Sequence, residues 1–166
     1  SDSPGVSEWL NELENENRPV SIGKGWAGTA ALDWTKPVEE QLSPSGLYEN
    51  VDLIVASDCV WLVSMLNALL DTVEAIFAAA ATTKSSKSDT KGEYSGPTFV
   101  MSFQRRDTPT SNGQSSIFTT VERVVDAMKG RGWNVDCLAW HPVKLDGDQP
   151  DQEVYLFEIV PKQQGS

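Results

Sequence analysis

Residues 51–58 read Val51-Asp52-Leu53-Ile54-Val55-Ala56-Ser57-Asp58, and immediately afterwards the chain changes its hydrophobic period. The near-continuous apolar centre of this stretch predicts a strand buried on both faces, the kind found in parallel sheets covered by helices. From Leu62 to Ala81, Leu62, Leu66, Leu69, Leu70, Val73, Ile76 and Phe77 fall at three- and four-residue steps. That spacing predicts a helix with one apolar stripe. Phe99-Val100-Met101-Ser102-Phe103 is a second buried-strand pattern. Two such strands joined by one amphipathic helix predict neighbouring parallel strands with the helix crossing between them.

Downstream, residues 105–113 are polar and carry Pro109. A second amphipathic helix is expected with Ile117, Phe118, Val121, Val124, Val125 and Met128 inward and Gly130 and Gly132 at its end. The tail then leaves α/β alternation. Asn134–Trp140 and Glu153–Val160 read as two strands joined only by the loop His141–Gln152, so they must run antiparallel. Strand, helix, strand, helix and a closing antiparallel pair resemble the ending of a class I methyltransferase sheet, whose last strand inserts in reverse between its neighbours. An ordinary dinucleotide-binding sheet continues instead with another crossover helix.

Upstream the signals thin out. Residues 1–28 read as an irregular segment with one helix-like stretch, Ser7–Leu13, that places Trp9, Leu10 and Leu13 on one face. Thr29-Ala30-Ala31-Leu32-Asp33-Trp34 is a candidate short strand closed by Pro37. Residues 29–162 form the expected domain, with 82–97 as a flexible, Ser-, Lys- and Thr-rich loop. Gly23-Lys24-Gly25-Trp26-Ala27-Gly28 has glycines at G-x-G-x-x-G spacing. It follows no apolar strand and opens no helix, so it does not read as a phosphate or cofactor loop.

Bulk properties narrow the function classes. The 166 residues suffice for one α/β domain. Thirteen basic against 24 acidic residues leave a formal charge of −11. Such a surface repels nucleic-acid phosphates and anionic membranes, and suits a basic protein partner, although solubility alone is a simpler account. Asp58, Asn67, Asp71 and Glu74 interrupt the apolar run Leu53–Ala81, so no membrane span is expected. Residues 1–7 show no secretory signal, and the chain opens without Met, as a fragment would. Cys59 and Cys137 lie in apolar strand-like segments and read as buried free thiols in a reducing compartment, the cytoplasm or alternatively the nucleus, with a disulfide between them as the other reading.

Three landmarks carry a family resemblance: Leu32-Asp33-Trp34, then Asp52 through Trp61 leading into a helix, then Phe99 through Arg106. In this order they resemble the lysine-methyltransferase-like group of seven-strand enzymes, which includes the methyltransferase-like 21 proteins. The resemblance covers about residues 29–160 and implies S-adenosylmethionine as cofactor and a protein side chain, lysine first, as substrate. Residue by residue, it places Trp34 beside the adenine ring, where a flat indole stacks and excludes water. It makes Ser57 the small residue that lets the cofactor approach the carboxyl end of its strand, where open α/β sheets bind ligands. It makes Asp58 the acid that orients the incoming amine; capping the following helix is the alternative role for this residue. Trp61 stands where the family has Tyr. An indole can wall a lysine channel but offers no phenolic hydroxyl, which puts catalysis at that position in doubt. Arg105 and Arg106 are candidates for substrate or for the cofactor carboxylate, or else are solvated surface. The resemblance further implies a Gly-rich turn after a first strand and a ribose-binding acid after a second, both upstream of Leu32. Neither is found, so the chain is expected to be the carboxyl-terminal part of the fold, with its first strands missing.

Other chemistries find little support. His141 is the only histidine, and no Cys/His set has zinc spacing. Asp146, Asp148, Asp151 and Glu153 crowd one loop, yet Pro150 and their spacing do not match a calcium loop. The function that the resemblance implies is a protein-lysine methyltransferase. A non-catalytic fragment or degenerate binding module of the same fold is the alternative, and a small-molecule methyltransferase is a third reading. Oligomeric state is not legible.

Overall fold

The computed structural model describes residues 20–22, 25–27, 30–42, 50–60, 62–85, 96–105, 119–144 and 152–162. The chain divides into two compact units, Ser1–Asp33 and Trp34–Ser166. The first contains a hairpin, β1 (Val20–Ile22) paired antiparallel with β2 (Gly25–Ala27), register Val20↔Ala27 to Ile22↔Gly25. The segment expected to be irregular thus holds a hairpin. Because Gly25–Ala27 is strand, the glycine spacing there opens no helix, as anticipated. The stretch Ser7–Leu13 lies outside the described residues.

The expected strand does not form over Ala30–Trp34: Ala30–Asp33, at the end of the first unit, carry no regular structure, and Trp34–Thr35, at the start of the second, form a turn. Pro37, read as a strand terminator, instead precedes a short helix, α1 (Val38–Leu42), a place where its missing N–H costs nothing. The sheet itself comprises β3 (Leu53–Ser57), β4 (Thr98–Gln104), β5 (Trp133–Val143) and β6 (Gln152–Pro161), in spatial order β3-β4-β6-β5. β3 and β4 are parallel, from Leu53↔Thr98 to Ser57↔Ser102. β6 runs antiparallel to both β4 and β5 and lies between them. The last strand is therefore inserted in reverse, as the tail of the sequence predicts.

Between β3 and β4 runs α2 (Val63–Ser85). Its stripe of Leu66, Leu69, Leu70, Val73, Ile76, Phe77 and Ala80 is buried, close to the predicted face. The helix continues through Thr82–Ser85, residues expected to belong to a loop; 86–95 lie outside the described residues. By length and composition Val63–Thr82 would suffice to cross a bilayer, contrary to the sequence reading. Its apolar stripe is instead spent on the sheet, while Asp71 and Glu74 pair with Arg131. Between β4 and β5 runs α3 (Val121–Gly130), which starts later than expected because Thr120 caps it, accepting from the Arg123 amide at 3.2 Å. Ile117 and Phe118 lie outside the described residues. The helix closes as predicted on Gly132, whose φ of +75° is the left-handed cap conformation; its amide donates to the Lys129 carbonyl at 2.9 Å.

One core joins these elements. Phe99, Met101 and Phe103 of β4 alternate into it beside Phe157 and Ile159 of β6, beneath Leu70, Val73, Val124 and Met128. Phe77 meets Trp133 edge-to-face, with centroids 5.2 Å apart. A further expectation that fails is burial of β3 on both faces. Ile54 and Ala56 turn toward the core, whereas Leu53 and Val55 are 56% and 65% exposed. An apolar run reads alike whether one face or two are covered, and β3 is an edge strand of this sheet. Cys137, expected to be buried, is exposed on the opposite edge strand, and Cys59 is half-buried; both thiols are free.

Candidate functional site

β3, β4 and β5 point the same way, so their carboxyl ends share one rim of the sheet, the rim at which open α/β sheets take ligands. Ser57 closes β3 there. Its side chain is exposed, and its Oγ accepts a hydrogen bond from Ser102 Oγ of β4 at 3.0 Å. Asp58 follows with a φ of +50°, the one left-handed non-glycine among the described residues. Its amide donates to the Ser102 carbonyl at 3.0 Å, which extends the β3–β4 ladder by one bond and fixes where the chain turns off. Cys59 Sγ donates to the Ser57 carbonyl at 3.4 Å, and Val60 is buried in the core.

This geometry removes one of the two roles of Asp58, that of helix cap. A helix N-cap has extended dihedrals and sits directly before the first turn. Asp58 is left-handed and five residues ahead of Val63, so it does not cap α2. Left-handed backbone at a non-glycine residue is a strained choice that structures keep mainly at working sites, and Asp is among the few residues that tolerate it. Trp34 is half-buried in its turn and packs against the same core as Ala56 and Val60. Trp61 lies outside the described residues, as does Arg106.

At the end of β4 the structure ties Arg105, a candidate from sequence, to residues that sequence reasoning gave no role. The Gln104 side chain bonds to that of Gln152, and the Arg105 amide donates to the Glu153 carbonyl at 2.8 Å. Arg105 Nη1 lies 3.1 Å from Glu153 Oε2, and Tyr155 donates its hydroxyl to the same oxygen at 2.8 Å. Those hydrogen bonds, from Tyr155 first and Arg105 second, hold the Glu153 carboxyl below the ordinary glutamate range. Burial, and then Glu153, push the Tyr155 hydroxyl up. Arg105 is thus tied across to β6. Glu153, read from sequence as the start of the strand Glu153–Val160 and counted also with the acidic loop before it, is the second residue of that strand. Its alternation with Tyr155 and Phe157 was the available signal.

A family model described as lysine methyltransferase matches residues 3–95, more than half of the chain. The chain belongs to the lysine methyltransferase family. The match includes Trp34, Ser57, Asp58 and the whole of β3 and α2. Strand β4 and the reversed closing pair lie beyond it, so of the four-stranded sheet only β3 falls within the match. No curated protein and no solved structure matches.

Proposed function

We propose that this chain serves an S-adenosylmethionine-dependent methyltransferase that modifies a lysine side chain of a basic protein, with the carboxyl end of β3 as its working edge. The observation that carries the reading is Asp58: within the family match, at the ligand rim, in a left-handed conformation that no cap requires. Bound there, S-adenosylmethionine would supply a methyl group activated on a sulfonium. The residues present fit its adenosine side. Ser57 is small, exposed and bonded to Ser102, and the half-exposed Trp34 indole is a flat apolar surface of the kind that stacks on a purine. Asp58 would draw a lysine ammonium to the rim and orient the amine once it has lost its proton. The −11 charge would favour basic protein substrates over small anionic ones and over nucleic acid.

A scaffold without catalysis is the second reading, favoured by Trp61 in place of Tyr and by Gly25–Ala27 forming strand where a cofactor turn would lead into a helix. The test is transfer of tritiated methyl from S-adenosylmethionine to lysine-rich and arginine-rich polypeptides. Label recovered as methyl-lysine supports the proposal. Label on arginine alone, or none at millimolar cofactor with either polypeptide, contradicts it.

A further inference from the structure

Ser102 lies beyond the family match and has no role from sequence, yet it holds both residues of the proposed working edge. Its carbonyl accepts from the Asp58 amide at 3.0 Å, and its hydroxyl donates to Ser57 Oγ at 3.0 Å. The two serines are register partners in the parallel β3–β4 pair, so their side chains stand on one face of the sheet. The Ser57 carbonyl is engaged separately, by the Cys59 thiol. Ser102 is half-buried on a strand with neighbours on both sides, whereas Ser57 is exposed at a strand end. Of two such hydroxyls, the one with less access to water is the one whose proton most needs a protein acceptor.

That direction leaves Ser57 a donor. A hydroxyl has one proton to give and two lone pairs that accept. Ser57 Oγ receives the Ser102 proton on one lone pair, so its own O–H cannot turn toward Ser102 and is left to donate elsewhere. Adenosine offers acceptors, its ring nitrogens and ribose oxygens, as well as donors. A freely turning hydroxyl meets either kind, whereas one fixed in this way meets the acceptors. We infer, on the reading that this rim takes the adenosine side of S-adenosylmethionine, that Ser102 is a positioning residue: it presents the Ser57 hydroxyl as a hydrogen-bond donor to an acceptor atom of the adenosine. Because the bond to Asp58 comes from the Ser102 backbone, replacing the Ser102 side chain leaves that bond in place and isolates the effect on Ser57. A cross-strand hydroxyl pair also steadies a sheet, but that structural role does not depend on what binds at the rim.

The probe is S-adenosylmethionine itself, titrated into the parent chain, Ser57→Ala, Ser102→Ala, Ser102→Thr and the double alanine variant, with binding followed by nitrogen-15 amide shifts. Ser57→Ala deletes the donor and should weaken binding roughly three- to tenfold, the range of one ordinary hydrogen bond. Ser102→Ala only frees the donor to turn and should weaken binding about threefold. Ser102→Thr keeps the hydroxyl and should stay within about twofold of the parent, and the double variant should bind no worse than Ser57→Ala, because Ser102 acts through Ser57. Without ligand, the three-bond couplings of Ser57 should report one χ1 rotamer in the parent and rotamer averaging in Ser102→Ala. Should Ser102→Ala fold poorly, Ser102→Cys takes its place; its thiol is a weaker donor, and its loss should fall between those of the threonine and alanine variants. Binding that is unchanged in Ser102→Ala, losses that add in full in the double variant, or averaged Ser57 couplings already in the parent would each overturn the inference alone. No binding by the parent would overturn it together with the cofactor reading.

Discussion

Asp58 admits a test in which backbone and charge separate. Its φ of +50° costs an ordinary L-residue roughly 1–2 kcal/mol, from which Asp and Asn are partly exempt because their short polar side chains bond locally. Asp58→Asn should therefore leave stability nearly unchanged. Asp58→Ala should lose about 1 kcal/mol, a fall of roughly 2–4 °C in melting temperature for a chain of this length. Asp58→Gly should return close to the starting value, since freedom from left-handed strain is offset by about 0.5–1 kcal/mol of extra unfolded-state entropy. Methyl transfer should order differently. All three variants lack the carboxylate and should lose at least tenfold in rate, the asparagine variant included, although it is the most stable of them. Circular-dichroism melts and the tritium-transfer assay on the same preparations give both orderings. An alanine variant as stable as the asparagine one would refute the backbone argument. A rate within a few-fold of the parent in Asp58→Asn would refute the role of the charge.

Two further outcomes follow from the polar clusters. Arg131 reaches Asp71 and Glu74 at 2.6 Å each and lies 5.9 Å from the Trp133 ring centroid, tying the end of α3 to α2. With both carboxylates largely solvent-facing, Arg131→Ala should cost only about 1–2 kcal/mol by denaturant titration, and Arg131→Lys should recover less than half because it cannot fork to both acids. Glu153 has a depressed pKa in the folded protein, so its contribution is present above the ordinary glutamate value and is lost as pH falls through the lower, folded one. Tyr155, pushed up, contributes below the ordinary phenol value and loses that contribution as pH rises through its folded one. Stability measured across the acid limb should fall less steeply in Glu153→Gln than in the parent; identical slopes would count against the Arg105–Glu153–Tyr155 cluster.

Much of this arrangement was written locally. Phe99, Met101 and Phe103 alternate as a buried strand must, the α2 stripe repeats at helical spacing, and the short span between β5 and β6 forces an antiparallel pair. What failed depended on neighbours. Leu53 and Val55 are as apolar as a doubly buried strand would make them, but nothing in their own sequence states whether a second layer covers them. Ala30–Trp34 has a strand-like composition, yet pairs with no strand among the described residues. At the site, Asp58 was legible because it follows a run of apolar residues. Ser102, Glu153 and Tyr155 were not, since their roles arise from register between segments 45 to 48 residues apart. A single sequence carries no marker of that alignment.

The most direct test of the account is a nitrogen-15 NMR titration of the chain with S-adenosylhomocysteine. On the proposed reading Trp34 and Ser57 would meet only the adenosine side of the cofactor. Binding should therefore be weak, near the millimolar range or about 4 kcal/mol. The shifts should be saturable and concentrated on the amides of Ser57, Asp58 and Ser102 and the indole of Trp34. Saturation at micromolar cofactor with shifts clustered elsewhere, the ends of β3 and β4 remaining silent, would contradict it.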